Sequence, residues 1–193
     1  MANLTFQEEG HIYRLDGVEI PSVTQILKIA GLSNFDNVNL DLLERSIRFG
    51  IAVHKVIELK CKGTLDESSV GEALIPYAKQ WDNFCLDYQY FSSQVEYRAF
   101  NHALRVGFCI DNIGSIDEAI TIVDIKTGAV KASDIIQACA YGYLYPAKRL
   151  IVLYLCEDKY KILDIKGQER RKGESIFLSA LALYNFKKEK GLL

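Results

Sequence analysis

Residues 122–128 read Ile-Val-Asp-Ile-Lys-Thr-Gly, and the two charges in this run decide how the fold is read. On an extended strand successive side chains alternate between faces, so Asp124 and Lys126 point the same way. Ile122, Val123 and Ile125 are apolar, which predicts a largely buried strand. A carboxylate and an ammonium at a buried strand end are costly unless they pair or serve a ligand. Taken in isolation, Asp-x-Lys reads most simply as a structural ion pair.

Working outward, Asp111 lies thirteen residues upstream, in Gly-Phe-Cys-Ile-Asp-Asn-Ile-Gly (107–114). It falls near the end of a predicted strand, and a short turn returns the chain to the Asp124 strand. Antiparallel neighbours can bring the two carboxylates together. They repel, each would rather be protonated than stay an unpaired buried anion, and a divalent cation removes the conflict. Oxygen ligands point to Mg²⁺ or Mn²⁺ rather than zinc. For Asp111 alone, a turn-organising role is an equal reading. Glu96, on the run before, offers a carboxylate from a third strand, or is simply exposed. His54 lies in Gly-Ile-Ala-Val-His-Lys-Val-Ile-Glu (50–58), with Glu58 one helical turn later on the same face. A lone helical histidine is usually a surface or core residue, but a neutral imidazole beside carboxylates also suits Mn²⁺. Downstream, Gln137 and Tyr141 are one turn apart. They form either the polar edge of a core helix or a pair in which Gln137 orients Lys126 or a scissile phosphate.

The rest of the chain supplies a frame for these residues. His-Ile-Tyr-Arg-Leu-Asp-Gly-Val-Glu-Ile-Pro (11–21) predicts a hairpin turning at Asp16-Gly17. Pro21-Ser22 precedes a short helix stopped by Gly31. A second helix is predicted over 40–61, with Leu42, Leu43, Ile47, Val53, Val56 and Ile57 as its apolar stripe and Gly50 as a point of interruption. A third is predicted over 72–90. Three β-rich runs then form a meander ending at Lys126. Ser133 is placed to cap a helix running to Tyr145, a hairpin turns at Asp158-Lys159, and a last helix is predicted over 173–190. This order implies one α/β domain spanning 1–193.

Composition limits the functions open to such a domain. With 193 residues, 49% hydrophobic and 25% charged, the chain is globular rather than disordered or fibrous. A net charge of −2 excludes binding by bulk positive charge, so any nucleic-acid contact needs a local basic surface. Lys131, Lys148 and Arg149 flank the Gln137 helix, whereas Lys166, Arg170, Arg171 and Lys172 read as a solvated loop. Tyr13, Tyr88 and Tyr90 offer stacking faces, although core packing is the simpler reading. Five scattered cysteines without a Cys-x-x-Cys suit a reducing compartment and argue against a zinc ribbon. The absence of a leader or a bilayer-length apolar run predicts an intracellular protein with no membrane partner.

The ordered series His54, Glu96, Asp111, Asp124-Ile125-Lys126, Gln137 and Tyr141 resembles the PD-(D/E)XK nuclease superfamily. It looks most like the RecB-type exonuclease branch, which includes phage-encoded and mitochondrial genome-maintenance exonucleases. There a helical histidine precedes a glycine-to-aspartate segment, a D-x-K strand and a Q-x-x-x-Y helix. Pro-Ser-Val-Thr-Gln-Ile-Leu (21–27) also looks like phage members, and the likeness covers roughly residues 11–165. It implies a restriction-endonuclease-like core, a central mixed sheet flanked by helices, with an N-terminal hairpin and helices. It further implies a Mg²⁺- or Mn²⁺-dependent deoxyribonuclease, most simply an exonuclease of recombination, repair or phage replication. By resemblance Asp111, Asp124, the Ile125 carbonyl and His54 hold the metal, while Lys126 positions water or stabilises charge at phosphorus. Glu96, Gln137 and Tyr141 support the reaction. The implied partners are single- or double-stranded DNA and a recombination or single-strand-annealing protein, in the cytoplasm of a bacterial or phage-infected cell. Phe108-Cys109 departs from the small or hydroxylated residues common there. The cysteine quartet of some relatives is absent, so no iron–sulfur cluster is expected. The rival class is a catalytically silent nucleic-acid-binding or recombination module on the same fold.

Overall fold

Asp16 and Gly17 both take left-handed backbone conformations, φ 51° and 79°, and reverse the chain between β2 (Ile12–Leu15) and β3 (Val18–Ile20). The computed structural model describes residues 4–8, 10, 12–33 and 39–193, so His11 of the predicted hairpin lies outside the described residues. A further strand, β1 (Leu4–Gln7), pairs with β2 and makes this an antiparallel three-stranded sheet. Ser22 then caps α1 (Val23–Ile29), accepting the Gln25 N–H while the Gln25 side chain accepts the Ser22 N–H.

The chain continues through α2 (Leu40–Cys61), α3 (Ile75–Asp87) and the meander β4 (Phe91–Asn101), β5 (Val106–Ile116) and β6 (Ala119–Lys126). Helix α4 (Ala132–Leu144) crosses to β7 (Arg149–Leu155), which lies parallel to β6, and β8 (Tyr160–Ile165) returns antiparallel before α5 (Gly167–Glu189). The protein is thus α/β, with a five-stranded mixed sheet ordered β4-β5-β6-β7-β8 and flanked by helices. Side chains alternate across β6. Ile122 joins Ile26, Phe108 and Phe177 in the core beneath α1, α4 and α5. Val123 and Ile125 join Val53, Trp81 and Phe84 beneath α2 and α3.

Several expected boundaries move for physical reasons. Helix α2 runs unbroken through Gly50, which faces Thr127 and does not interrupt the helix. Its apolar stripe divides: Val53, Val56 and Ile57 are buried, whereas Leu42 and Ile47 are exposed. Helix α3 starts only at Ile75, with Pro76 in its first turn, and stops before Gln89, whose φ is 46°. Lys131, not Ser133, precedes α4, and the Asp134 carboxylate accepts the Lys131 N–H at 3.1 Å. Helix α5 begins at Gly167, which takes Arg170, Arg171 and Lys172 out of the expected loop. The Arg170 guanidinium donates to the Gly142 and Ala147 carbonyls, each at 3.0 Å, and to Glu174 at 2.8 Å. It binds the first turn of α5 to the end of α4.

Candidate functional site

The β5–β6 ladder runs from Ile116↔Ala119 to Asn112↔Val123 and stops there. One more step in that register would set Asp111 opposite Asp124, and like charges directly opposed are destabilising. The strands part at that step. Asp111 Oδ2 instead accepts the Ile125 N–H at 2.7 Å, so a carboxylate satisfies a donor next to the end of the ladder. Strand β5 continues against β4 as far as Val106. The fork opens into a cleft of about 840 Å³, lined among others by His54, Glu96, Asp111, Lys126, Gln137 and Tyr141.

Three elements bring metal-ligating groups into this fork. Helix α2 crosses it and aims His54 inward, with Nδ1 3.6 Å from Asp111 Oδ1 and Nε2 3.0 Å from the Ile125 carbonyl oxygen. Glu96 of β4 stands opposite Asp111, between the pairs Val95↔Asn112 and Tyr97↔Ile110. Its φ of 49° is left-handed, uncommon for a residue with a Cβ and a mark of local strain held by its surroundings. The Cys109 thiol donates to Glu96 Oε2 at 3.4 Å, and Arg98 lies 3.7 Å from the same oxygen. Burial, followed by the Asp111 charge, raises the Glu96 carboxyl above the usual range. Ligand atoms of His54, Glu96 and Asp111 all lie within 4.8 Å of one another.

Asp124 and Lys126 form a second layer on the α4 side. Asp124 is 1% exposed, and its Oδ2 is 2.7 Å from Lys126 Nζ. Despite that approach, neither Asp124 oxygen receives a well-directed hydrogen bond among the described residues. Burial pushes the Asp124 carboxyl up to about 7, against the opposing pull of Lys126. Burial also works to lower the Lys126 ammonium, but Asp124 and Asp111 outweigh it and raise it. Gln137 Nε2 donates to Tyr141 Oη at 2.7 Å, and burial, then Asp124 and Asp111, raises the Tyr141 hydroxyl well above its ordinary value.

The fold therefore gathers His54, Glu96 and Asp111 into one cluster. Asp124 stands outside that cluster, paired with Lys126. Other readings fall away. Glu58 is bound by Lys55 at 2.8 Å and Lys62 at 2.5 Å and does not join the cluster. Tyr13 and Tyr90, 0% and 4% exposed, are core residues with no face to offer a base. Tyr88 packs against Phe84 and Tyr160. Of the basic residues flanking α4, Lys131 lines the cleft, whereas Arg149, beyond the helix's far end, is bound to Asp164.

Two residues that sequence reasoning passed over belong to the site. Asp134 is buried, lines the cleft and accepts from the Lys131 N–H and, at 2.8 Å, the Tyr154 hydroxyl. Asp134 stands three positions after the observed cap, Lys131, and the expected cap at Ser133 hid that spacing. Cys109, read only as a departure from a pattern, is the donor to Glu96.

No family model matches the chain, and no curated protein matches it. Among solved structures, the chain is similar to that in the crystal structure of SSO0001, at 14% identity and a TM-score of 0.38 over 84% of each chain. Among the described residues, no helix is long and apolar enough to cross a membrane.

Proposed function

We propose that the protein is a metal-dependent DNA nuclease, an exonuclease acting in recombination, repair or phage replication. The observation that carries this reading is the fork itself. Carboxylates of Glu96 and Asp111, from two adjacent strands, meet His54 there, and the Asp124–Lys126 pair of a third strand lies beside them.

These residues fit a hard divalent cation, Mg²⁺ or Mn²⁺. Two clustered carboxylates and an imidazole are supplied, and a third carboxylate is buried without a directed hydrogen-bond partner. His54, Glu96 and Asp111 would hold the ion, with Asp124 and the Ile125 carbonyl at the edge of the same fork. Bound there, such a cation acts as a Lewis acid and lowers the pKa of a coordinated water.

The chain's own groups do the remaining work. Lys126 keeps its proton because Asp124 and Asp111 favour the ammonium, and it lines the cleft. It therefore meets a phosphate oxygen as a full positive charge and stabilises charge developing at phosphorus. Asp124 holds Lys126 in that position. His54, spanning Asp111 and the Ile125 carbonyl, fixes α2 to the fork. Tyr141 accepts from Gln137 and leaves the Gln137 amide oxygen to orient Lys126 or the substrate. DNA is the proposed partner, together with a recombination or single-strand-annealing protein, in the cytoplasm of a bacterial or phage-infected cell.

The test incubates purified protein with end-labelled single- and double-stranded DNA in Mg²⁺, Mn²⁺ or EDTA. Laddering from one terminus, abolished by EDTA and reduced at least about 100-fold in Asp111→Ala and Lys126→Ala, is expected. Intact activity in those folded variants removes the assignment. Binding without cleavage in every metal moves the protein to a silent DNA-binding module.

A further inference from the structure

Arg98 enters the cleft from β4, on the rung Arg98↔Cys109 and two residues after Glu96. Its Cζ lies over the Phe6 ring of β1, 4.8 Å from the centroid, a cation–π contact through which the N-terminal sheet holds the guanidinium in place. Glu96 Oε2 stands 3.7 Å away. That distance is a contact between charges and too long for a hydrogen bond. The pair is looser than two others along the cleft, Lys55 with Glu58 at 2.8 Å and Lys126 with Asp124 at 2.7 Å. The Arg98 side chain is also 40% exposed. An ion pair this open and this long adds little to stability, so holding the fold together does not account for it.

The carboxylate that faces Arg98 is a carboxylate of the cation cluster. Glu96 shares that cluster with His54 and Asp111. It offsets the guanidinium only while no stronger positive charge draws it away. Once Glu96 turns its charge to a divalent cation, Arg98 keeps its place over Phe6 and its fork of N–H donors but loses its counter-charge. A planar guanidinium already oriented and partly open to solvent suits bidentate contact with a phosphate. A lysine could not be held over the ring and meet two phosphate oxygens in the same way.

From this we infer that Arg98 is a phosphate-binding residue that Glu96 keeps neutralised until a cation takes that carboxylate. Metal and DNA backbone then bind cooperatively through the Glu96–Arg98 pair, and Phe6 is the positioning residue. The inference deepens the nuclease reading and rests on it for the phosphate being that of DNA. Fluorescence anisotropy of a labelled short oligonucleotide, single-stranded or folded into a hairpin, tests it without turnover. The metal probe is Ca²⁺, which takes the same oxygen ligands. In EDTA, Glu96→Gln tightens binding, and the gain is roughly threefold to fivefold larger with Arg98 present than in Arg98→Ala. Removing a negative charge helps a polyanion equally in both backgrounds, so the difference isolates the pair. Ca²⁺ strengthens binding by the wild-type protein roughly threefold more than binding by Arg98→Ala. In Ca²⁺, Arg98→Ala reduces the slope of log affinity against log salt by roughly 0.7 for the single strand and roughly 0.9 for the hairpin. Phe6→Leu weakens binding roughly twofold to fivefold, and only where Arg98 is present. Arg98→Gln, uncharged and closer in length, repeats the cycle if the alanine variant fails to fold.

Equal gains from Glu96→Gln in the two backgrounds overturn the inference. So does a salt slope that Arg98→Ala leaves unchanged, or equal strengthening by Ca²⁺ with and without Arg98. Cleavage assays of the wild-type protein in Mn²⁺ separate the two claims. Coupling without cleavage leaves the Arg98 site standing and defeats the nuclease reading. Cleavage without coupling does the reverse.

Discussion

Asp124 gives a stability test that needs neither substrate nor metal. Its carboxyl is pushed up to about 7 by burial, with Lys126 pulling the other way, against an ordinary carboxyl value near 4 in the unfolded chain. Between those values the folded protein holds a proton that the unfolded chain has released, so stability falls as pH rises. The loss approaches about 1.4 kcal/mol per pH unit in the middle of that window and tapers near the folded value, which makes about 2 kcal/mol between pH 5 and 7. For a chain of this size that lowers the melting temperature by roughly 4–8 °C. The pH window isolates the effect. Donation by Lys55 and Lys62 holds Glu58 below its usual range, and Lys166 and Arg149 overcome burial to do the same for Asp164. Those contributions are complete above the unfolded carboxyl value and stay level from pH 5 upward. Glu96, raised by burial and Asp111, adds a smaller fall of the same sign. Thermal unfolding in EDTA, followed by fluorescence of the buried single tryptophan, Trp81, reads the trend directly. Asp124→Asn mimics the protonated state and should remove most of the slope. Mn²⁺ should stabilise the wild-type protein more at pH 7.5 than at pH 5, because it favours ionised carboxylates. A wild-type melting temperature that is flat or rising from pH 5 to 7.5 would refute the reasoning, as would an equal slope in Asp124→Asn.

Two further outcomes probe the frame that holds the site. Arg170→Ala removes charge-assisted hydrogen bonds to the Gly142 and Ala147 carbonyls and should cost about 2–4 kcal/mol in urea unfolding, with single-strand affinity unchanged. Arg170→Lys should recover less than half of it, since an ammonium cannot span the same fork of acceptors. Gly107→Ala places a Cβ 2.5 Å from Tyr13 Cγ, inside the buried contact between β5 and the N-terminal sheet. Overpacking there should cost about 1–3 kcal/mol, read by the same unfolding curves.

Much of the architecture was legible because local signals agreed with tertiary demands. Asp16-Gly17 can take positive φ, the β6 run is apolar on both faces, and Asp158-Lys159 punctuates two apolar runs. The misplaced boundaries lie where tertiary contacts decide. The first turn of α5 carries almost no apolar residue, and Arg170 fastens it through carbonyls of a distant loop and helix. The α2 stripe looked uniform in sequence, yet half of it buries against the sheet and half lines open space. Periodicity reports a helical face and says nothing of what covers it.

The site was legible to a different degree. Chain order set Glu96, Asp111 and Asp124 on three successive strands of a meander, and antiparallel pairing then made their approach predictable. What order could not supply is the response of the backbone to three carboxylates in one place. Continuing the ladder would set Asp111 against Asp124 with no cation between them. The strands separate instead: Asp111 turns to the Ile125 N–H, Asp124 withdraws to Lys126, and Glu96 keeps its place through a left-handed φ. Each adjustment relieves repulsion locally, and together they open the cleft. The repulsion that makes these carboxylates poor neighbours in a closed sheet is thus what gives the fold a fork. A bound cation would be drawn to that fork by the same charges that open it.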